Sequence, residues 1–376
     1  MLKNNVSALG IIFPNSYDAT APELTNVRLM ASIPFASRYR LVDFVISSMA
    51  RAGIDNISLI ARENYLSLMD HLGSGREWDL VRKNGGLHLF PPNSERTSTV
   101  YTGRVSAIAG ILEFLRTQKE KYVVMADANF AANINFKEIL QAHIASGADV
   151  TTVYNEQEIP EGYIDITNDK AFYYTYAIED GRVKEIYVNK KDAGVHNLGM
   201  NIFVVERELL IDLINTAFVR GLRYWERDVL LSQLDKLNVQ AYKFEGYWKD
   251  VGTIDSLWEA NLDLLNPKVD LDLSDDSWKI YSRNPIAPPH FISDKAKVEN
   301  SMIGEGCVID GGVDYSILFS NVTVEEGAKV RYSIIMPGTT IKSGAVVEYA
   351  IVAENAVIDE GAHIGESPEE IDNLEN

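Results

Sequence analysis

Side chains able to do chemistry are sparse, and their spacing narrows the choice. The six histidines, at 71, 88, 143, 196, 290 and 363, are scattered, with no H-E-x-x-H or comparable metal spacing. There is no G-x-S-x-G elbow, and the single cysteine, Cys307, has no evident histidine partner, so nucleophilic hydrolysis has no support. These residues read as core or surface. One cysteine forms no internal disulfide, which agrees with a reducing compartment. The chain has 35 Lys and Arg against 54 Asp and Glu, a formal charge of -19. That field repels polyanions, and no basic stripe interrupts it, so nucleic acid is excluded as a partner. A phosphorylated ligand would need a local cluster of lysines and arginines. No apolar run approaches the roughly 20 residues that span a bilayer. The start, MLKNNVSALGIIFP, lacks the basic segment and cleavage site of a signal peptide. No membrane partner and a cytoplasmic location are expected.

The elements that must position any such site fall into two blocks. With 376 residues, 46% hydrophobic and 24% charged, the chain can bury one large core and one smaller one. Over residues 1–265, short β-branched runs alternate with helical patterns: Val6 to Phe13, Phe44 to Arg51, Ile57 to Ala61. This predicts an α/β, Rossmann-like, mostly parallel sheet flanked by helices. A helix over VSAIAGILEFLR feeds the strand YVVMAD, and a helix over FKEILQAHIASG, stopped at Gly147, feeds ADVTTVY. Residues 266–290, rich in Asp and Pro, form the linker, ordered against both domains through Trp278, Ile280 and Tyr281.

From 291 to 376 the period changes. Val313, Val330, Val347 and Ile364 step by 17 residues, as do Leu318, Ile335 and Val352, and Val324, Ile341 and Ile358. Neighbouring members lie five or six residues apart, so each turn has three short faces. This predicts a triangular, left-handed parallel β-helix of hexapeptide type, with glycines at 306, 327, 344 and 361 at its bends.

Together, YRLVDFVISS (39–48), YVVMADANFAANINF, VNKKDAGVHNLGMNIFVV, YWKDVGTIDSLWEANLDLL (247–265) and the β-helix resemble the glucose-1-phosphate adenylyltransferase (ADP-glucose pyrophosphorylase) family over essentially the whole chain, and most of all its GlgD-type regulatory subunit. The resemblance implies transfer of the adenylyl group of ATP to glucose 1-phosphate, with release of pyrophosphate, for glycogen synthesis. That is phosphoryl transfer, which depends on placed charge.

By the same resemblance, several catalytic features are degraded. The loop after the first strand, IIFPNSYDATAPELTNVRL, has no glycine where catalytic members are glycine-rich, and Pro14 removes an N–H, so the usual phosphate nest is absent. A lysine of catalytic members aligns with Met30, while Arg28 survives beside it. The Gly-Thr-Ala-Asp turn becomes Gly103, Arg104, Val105 and Ser106. The first metal aspartate aligns with Ala128, and Asp127 stands one residue early, on the opposite face. Asp250 in YWKDVGT matches the second metal carboxylate and Lys190 the sugar-phosphate lysine, although both residues also suit simple fold maintenance. Arg38 and Arg40 resemble a basic stretch near the family's regulatory cleft. The expectation is a catalytically impaired regulatory subunit with no productively bound cofactor. Its partner would be a catalytic subunit that uses Mg²⁺, with a sugar-phosphate effector bound between the domains. An active adenylyltransferase with an atypical phosphate loop is the competing reading. A β-helix acyltransferase, for which only His363 lies well inside the coil, is a third.

Overall fold

The computed structural model describes residues 7–15, 21–91, 103–160, 173–284, 286–367 and 371–374. Of the loop after the first strand, residues 16–20 lie outside the described residues. At the centre of the first domain is the strand Ala8–Phe13, buried along its whole length. It is apolar on both faces because both are covered. On one side helix Leu41–Arg51 packs so closely that a Cβ on Gly10 would come within 2.7 Å of the Met49 sulfur.

Among the described residues nine strands form the sheet, in the order Gly86–Phe90, Asn56–Ile60, Ala8–Phe13, Tyr122–Asp127, Val195–Glu206, Val150–Glu158, Val239–Lys243, Arg182–Val188 and Tyr174–Glu179. The first four are mutually parallel. Beyond them the sheet is mixed: Val195–Glu206 runs antiparallel to both neighbours, and Val239–Lys243 is parallel only to Val150–Glu158. The parallel pattern thus holds for one half of the sheet. In the other half a hairpin closes at Asp180 and Gly181, both at positive φ (51° and 76°), and so tight a connection leaves no room for a crossover helix.

The helix predicted over VSAIAGILEFLR is two short ones, Arg104–Ala109 and Leu112–Thr117, broken at Gly110 and Ile111. Glycine is a poor interior helix residue, and here it closes the first segment. Helix Phe136–Ser146 follows the sequence reading, with Asn135 accepting from the Glu138 N–H at its start and Gly147 left-handed (φ 61°) at its end.

In the second domain three five-stranded parallel sheets make the three faces of the coil. The columns read from the sequence are its interior: Val313, Val330, Val347 and Ile364; Leu318, Ile335 and Val352; Val324, Ile341 and Ile358. Paired strands lie 17 residues apart at Phe291 and Val308, 15 apart from Val298–Val313 to Val308–Thr323, 17 apart in the turns that follow, and 22 apart at Ile351 and Asn373. At one corner Tyr315, Tyr332 and Tyr349 all sit at positive φ (45°, 46° and 48°), a strained conformation for a bulky residue. Their rings follow one another along the axis, Tyr315 tilted 41° to Tyr332 at 5.3 Å and Tyr332 stacked on Tyr349 at 5.1 Å.

Outward-facing Met302, Ile317, Ile334 and Ile351 cover one face of the coil, and this face joins Met30, Ile33, Phe35 and Leu257 of the first domain in a single core. The connecting segment belongs to that core through buried Leu271 and Ile280. It also grips helix Leu41–Arg51: the Tyr281 N–H donates to Ser47 Oγ (2.9 Å), and the Arg51 guanidinium lies 4.5 Å from the Trp278 ring centre. Among the described residues no helix is long and apolar enough to cross a membrane.

Candidate functional site

Strand order reverses between Ala8–Phe13 and Tyr122–Asp127: the chain first builds outward on one side of the central strand, then returns to the other. Open α/β sheets take ligands outside the carboxyl ends of the strands at such a switch point. Those ends are Phe13 and Asp127, partners in register. Between them lies Arg104, the first residue of helix Arg104–Ala109. Its Nη2 donates to both Asp127 oxygens (2.7 and 2.6 Å), its Nη1 donates to Glu226 Oε1, and its guanidinium is 5.4 Å from the Phe13 ring centre. Side-chain exposure is 14% for Arg104, 1% for Asp127 and 2% for Glu226.

Local backbone explains the arrangement. Glu226 comes from a π-helical turn, Trp225–Leu230, a wide form often found at functional positions. The preceding Arg223 carbonyl accepts from the Val105 N–H (3.1 Å), and a Cβ on Gly103 would collide with that carbonyl, so this glycine permits the close approach. Burial works against the Arg104 charge, but Asp127 and Glu226 outweigh it and raise its pKa. Burial also raises the pKa of Glu226, against the pull of Arg104.

Ala128 points to the opposite layer from Asp127, as alternation requires, and is buried in the core beside Phe130 and Ile134. Asp250 lies next to it: Trp248–Asp250 pairs with Phe130–Ala132, the Val251 N–H donates to the Asn129 carbonyl (2.7 Å), and Asn129 Nδ2 donates to Asp250 Oδ1. The two metal positions implied by the sequence are therefore neighbours. They do not fit Mg²⁺, which needs carboxylate oxygens: Ala128 offers none, Asp250 accepts from Asn129, and Asp127 is bound by Arg104 on the other face.

Lys190 follows strand Arg182–Val188, paired with Asp192 (3.0 Å) and 4.5 Å from the Tyr187 ring centre. Two further residues of the sequence reading lie where the domains meet. Met30, aligned with a charged lysine, is fully buried in the core shared by the domains, where an ammonium would have to be desolvated. Arg28, the surviving cation beside it, reaches Glu354 of the β-helix (2.5 Å) and ties the domains together.

Arg38 and Arg40 do come together, in a cleft of about 420 Å³ between the domains that is also lined by Arg283, Asp70, His71 and Glu354. Arg40 Nη1 donates to Ser67 through both its carbonyl (3.0 Å) and its Oγ (2.7 Å), and burial, then nearby Arg28, lowers its pKa. Arg38 donates to Asn284, and Arg283 lies 3.3 Å from Asp70. His71 is fixed by a 2.6 Å hydrogen bond to buried Asp43, which also caps helix Leu41–Arg51 by accepting from the Arg40 N–H. Arginine forks suit phosphate oxygens. The sequence reading missed Arg283, His71 and Glu354 here, and the pairing of Arg104 with Asp127 and Glu226 in the crevice. None of them sits in a motif of its own.

A switch-point α/β domain joined to a hexapeptide coil defines a nucleotidyltransferase architecture. In agreement, residues 22–267 match the nucleotidyl transferase family and residues 287–374 the GlmU-like C-terminal hexapeptide family. The chain is 37% identical to the glucose-1-phosphate adenylyltransferase of Bacillus mycoides over 82% of its own length and 81% of the relative's. It is 36% identical, over the same shares, to the enzymes of that name from Bacillus cereus and Bacillus anthracis. The chain belongs to the glucose-1-phosphate adenylyltransferase family.

Proposed function

We propose that this chain is a regulatory, catalytically impaired subunit of ADP-glucose pyrophosphorylase. It completes an oligomer with a catalytic subunit, which supplies the Mg²⁺-dependent chemistry, and answers to a sugar phosphate held in the cleft of Arg38, Arg40 and Arg283. One observation carries the reading: the switch-point crevice, where a nucleotide would be held, contains the buried ion pairs of Arg104 with Asp127 and Glu226. Ala128 and the glycine-free loop with Pro14 point the same way. Removing one preorganised electrostatic contact costs about 10²- to 10³-fold in rate, so several losses together leave little turnover, whether or not they add. The cytoplasm is the compartment this role requires.

The test is to purify the chain alone, then mix it with a catalytic family member, and to measure assembly mass and ADP-glucose synthesis. The expected result is trace activity alone, a mixed oligomer, and altered activity or effector response in the mixture. The competing reading, an active enzyme with an atypical phosphate loop, draws on the name carried by the Bacillus relatives. Robust turnover by the pure chain would establish it and defeat the regulatory role.

A further inference from the structure

We infer that Arg104 is an internal stand-in for a bound cation, a guanidinium that neutralises Asp127 and Glu226 and thereby locks the switch-point crevice shut. The inference deepens the regulatory reading and rests on it, but its test uses a different measurement.

Two carboxylates almost fully removed from water face one guanidinium. Like charges brought together in a buried site cannot both stay ionised without a counter-ion. The arginine supplies one, and its planar fork engages both oxygens of Asp127 with one nitrogen and Glu226 with the other. A divalent cation would claim the same carboxylate oxygens. Arginine differs in being covalently part of the chain, so it never dissociates.

The lock is held from behind. The Phe13 ring lies against the guanidinium, and the Val105 N–H bond to the Arg223 carbonyl fastens the base of the Arg104 helix to the segment that delivers Glu226. An incoming triphosphate would have to draw Arg104 away from two carboxylates and leave both unpaired and buried. That cost opposes the gain from any new phosphate contact. Arg104 is thus a positioning residue that decides what the crevice excludes.

The test measures thermal unfolding and Mn²⁺ binding, by electron paramagnetic resonance, on the full chain and its variants. Arg104→Ala is expected to lower Tm by roughly 5–10 °C, because removing one partner of a buried ionic group strands the others. Millimolar Mn²⁺ should restore most of that loss and bind the variant, while the parent chain and Arg104→Ala/Asp127→Asn should show neither effect. An Arg104→Ala protein with parental Tm, or one that ignores Mn²⁺, overturns the inference. Should Arg104→Ala fail to fold, Arg104→Met/Asp127→Asn/Glu226→Gln decides: a near-parental Tm supports a counter-ion role, and failure to fold refutes it. Turnover enters none of these readings, so an active parent chain would count against the proposed function, whereas the stand-in role stands or falls by the Mn²⁺ response.

Discussion

The switch-point crevice and the inter-domain cleft are both built around arginines, yet their charge is arranged in opposite ways. In the crevice one arginine, itself 14% exposed, serves two buried carboxylates. In the cleft three arginines stand against two lining carboxylates, Asp70 and Glu354, and the Arg283–Asp70 pair is largely exposed. The first arrangement is complete without a ligand. The second has cations to spare, in a chain whose overall charge of -19 would otherwise repel an anion. The regulatory role proposed above would use both arrangements, a crevice satisfied from within and a cleft left in need of an anion.

The most severe way to break the comparison is to remove the β-helix from Phe291 onward. The cleft loses one wall, and Met30, Ile33, Phe35 and Leu257 lose the cover of Ile317, Ile334 and Ile351. Size-exclusion chromatography should show aggregation or, for any soluble fraction, loss of association with a catalytic partner. A soluble truncated chain that co-purified at full stoichiometry would move the assembly role to the first domain.

A narrower cut is Arg40→Ala/Arg283→Ala. In the mixed oligomer this pair should reduce sensitivity to a sugar-phosphate activator about tenfold or more, because each charge-assisted hydrogen bond is worth roughly 1.5–3 kcal/mol. Unchanged assembly mass and unchanged basal synthesis must accompany the shift. An unaltered activation midpoint would remove the effector from the cleft.

The smallest effect is expected at Asp250. Asp250→Ala should leave synthesis by the assembled complex nearly unchanged, whereas the matching change in the catalytic partner should stop it. Native mass and circular dichroism of the variant come first, since Asp250 accepts from Asn129 beside a sharp turn. A properly assembled complex that lost most of its activity would mean that this crevice does contribute a working site.

What the sequence made legible follows from the range over which its signals act. The coil was readable from residue 313 onward because there each interior column repeats at a step of 17, and burial of Val330 or Ile335 requires nothing beyond that local rhythm. Helix Phe136–Ser146 was readable from its periodicity and its closing glycine. The antiparallel half of the sheet had a signal, the Asp180–Gly181 dipeptide of a tight hairpin, which the strand-helix alternation obscured. Arg104 and Glu226 are 122 positions apart, and Arg28 and Glu354 are 326 apart, so neither ion pair leaves a local pattern. Met30 reads in the sequence only as the position of a lysine of catalytic members, and only packing shows that its side chain enters the shared core.

The tyrosine corner of the coil bears on how such a protein can change length over evolution. Tyr315, Tyr332 and Tyr349 each hold a strained backbone angle, and each has a ring on a neighbouring turn against it, stacked between Tyr332 and Tyr349 and tilted between Tyr315 and Tyr332. A deletion inside a strand would carry that strand's interior side chains out of their columns, whereas a corner can absorb a small change: one coil keeps Val298 in register with Val313 over 15 residues where the next takes 17. A deletion of one whole turn would return each residue to an equivalent place and simply leave a shorter ladder. Insertions and deletions in this domain should therefore be tolerated as complete turns, or at corners away from the tyrosines, and purged within the strands.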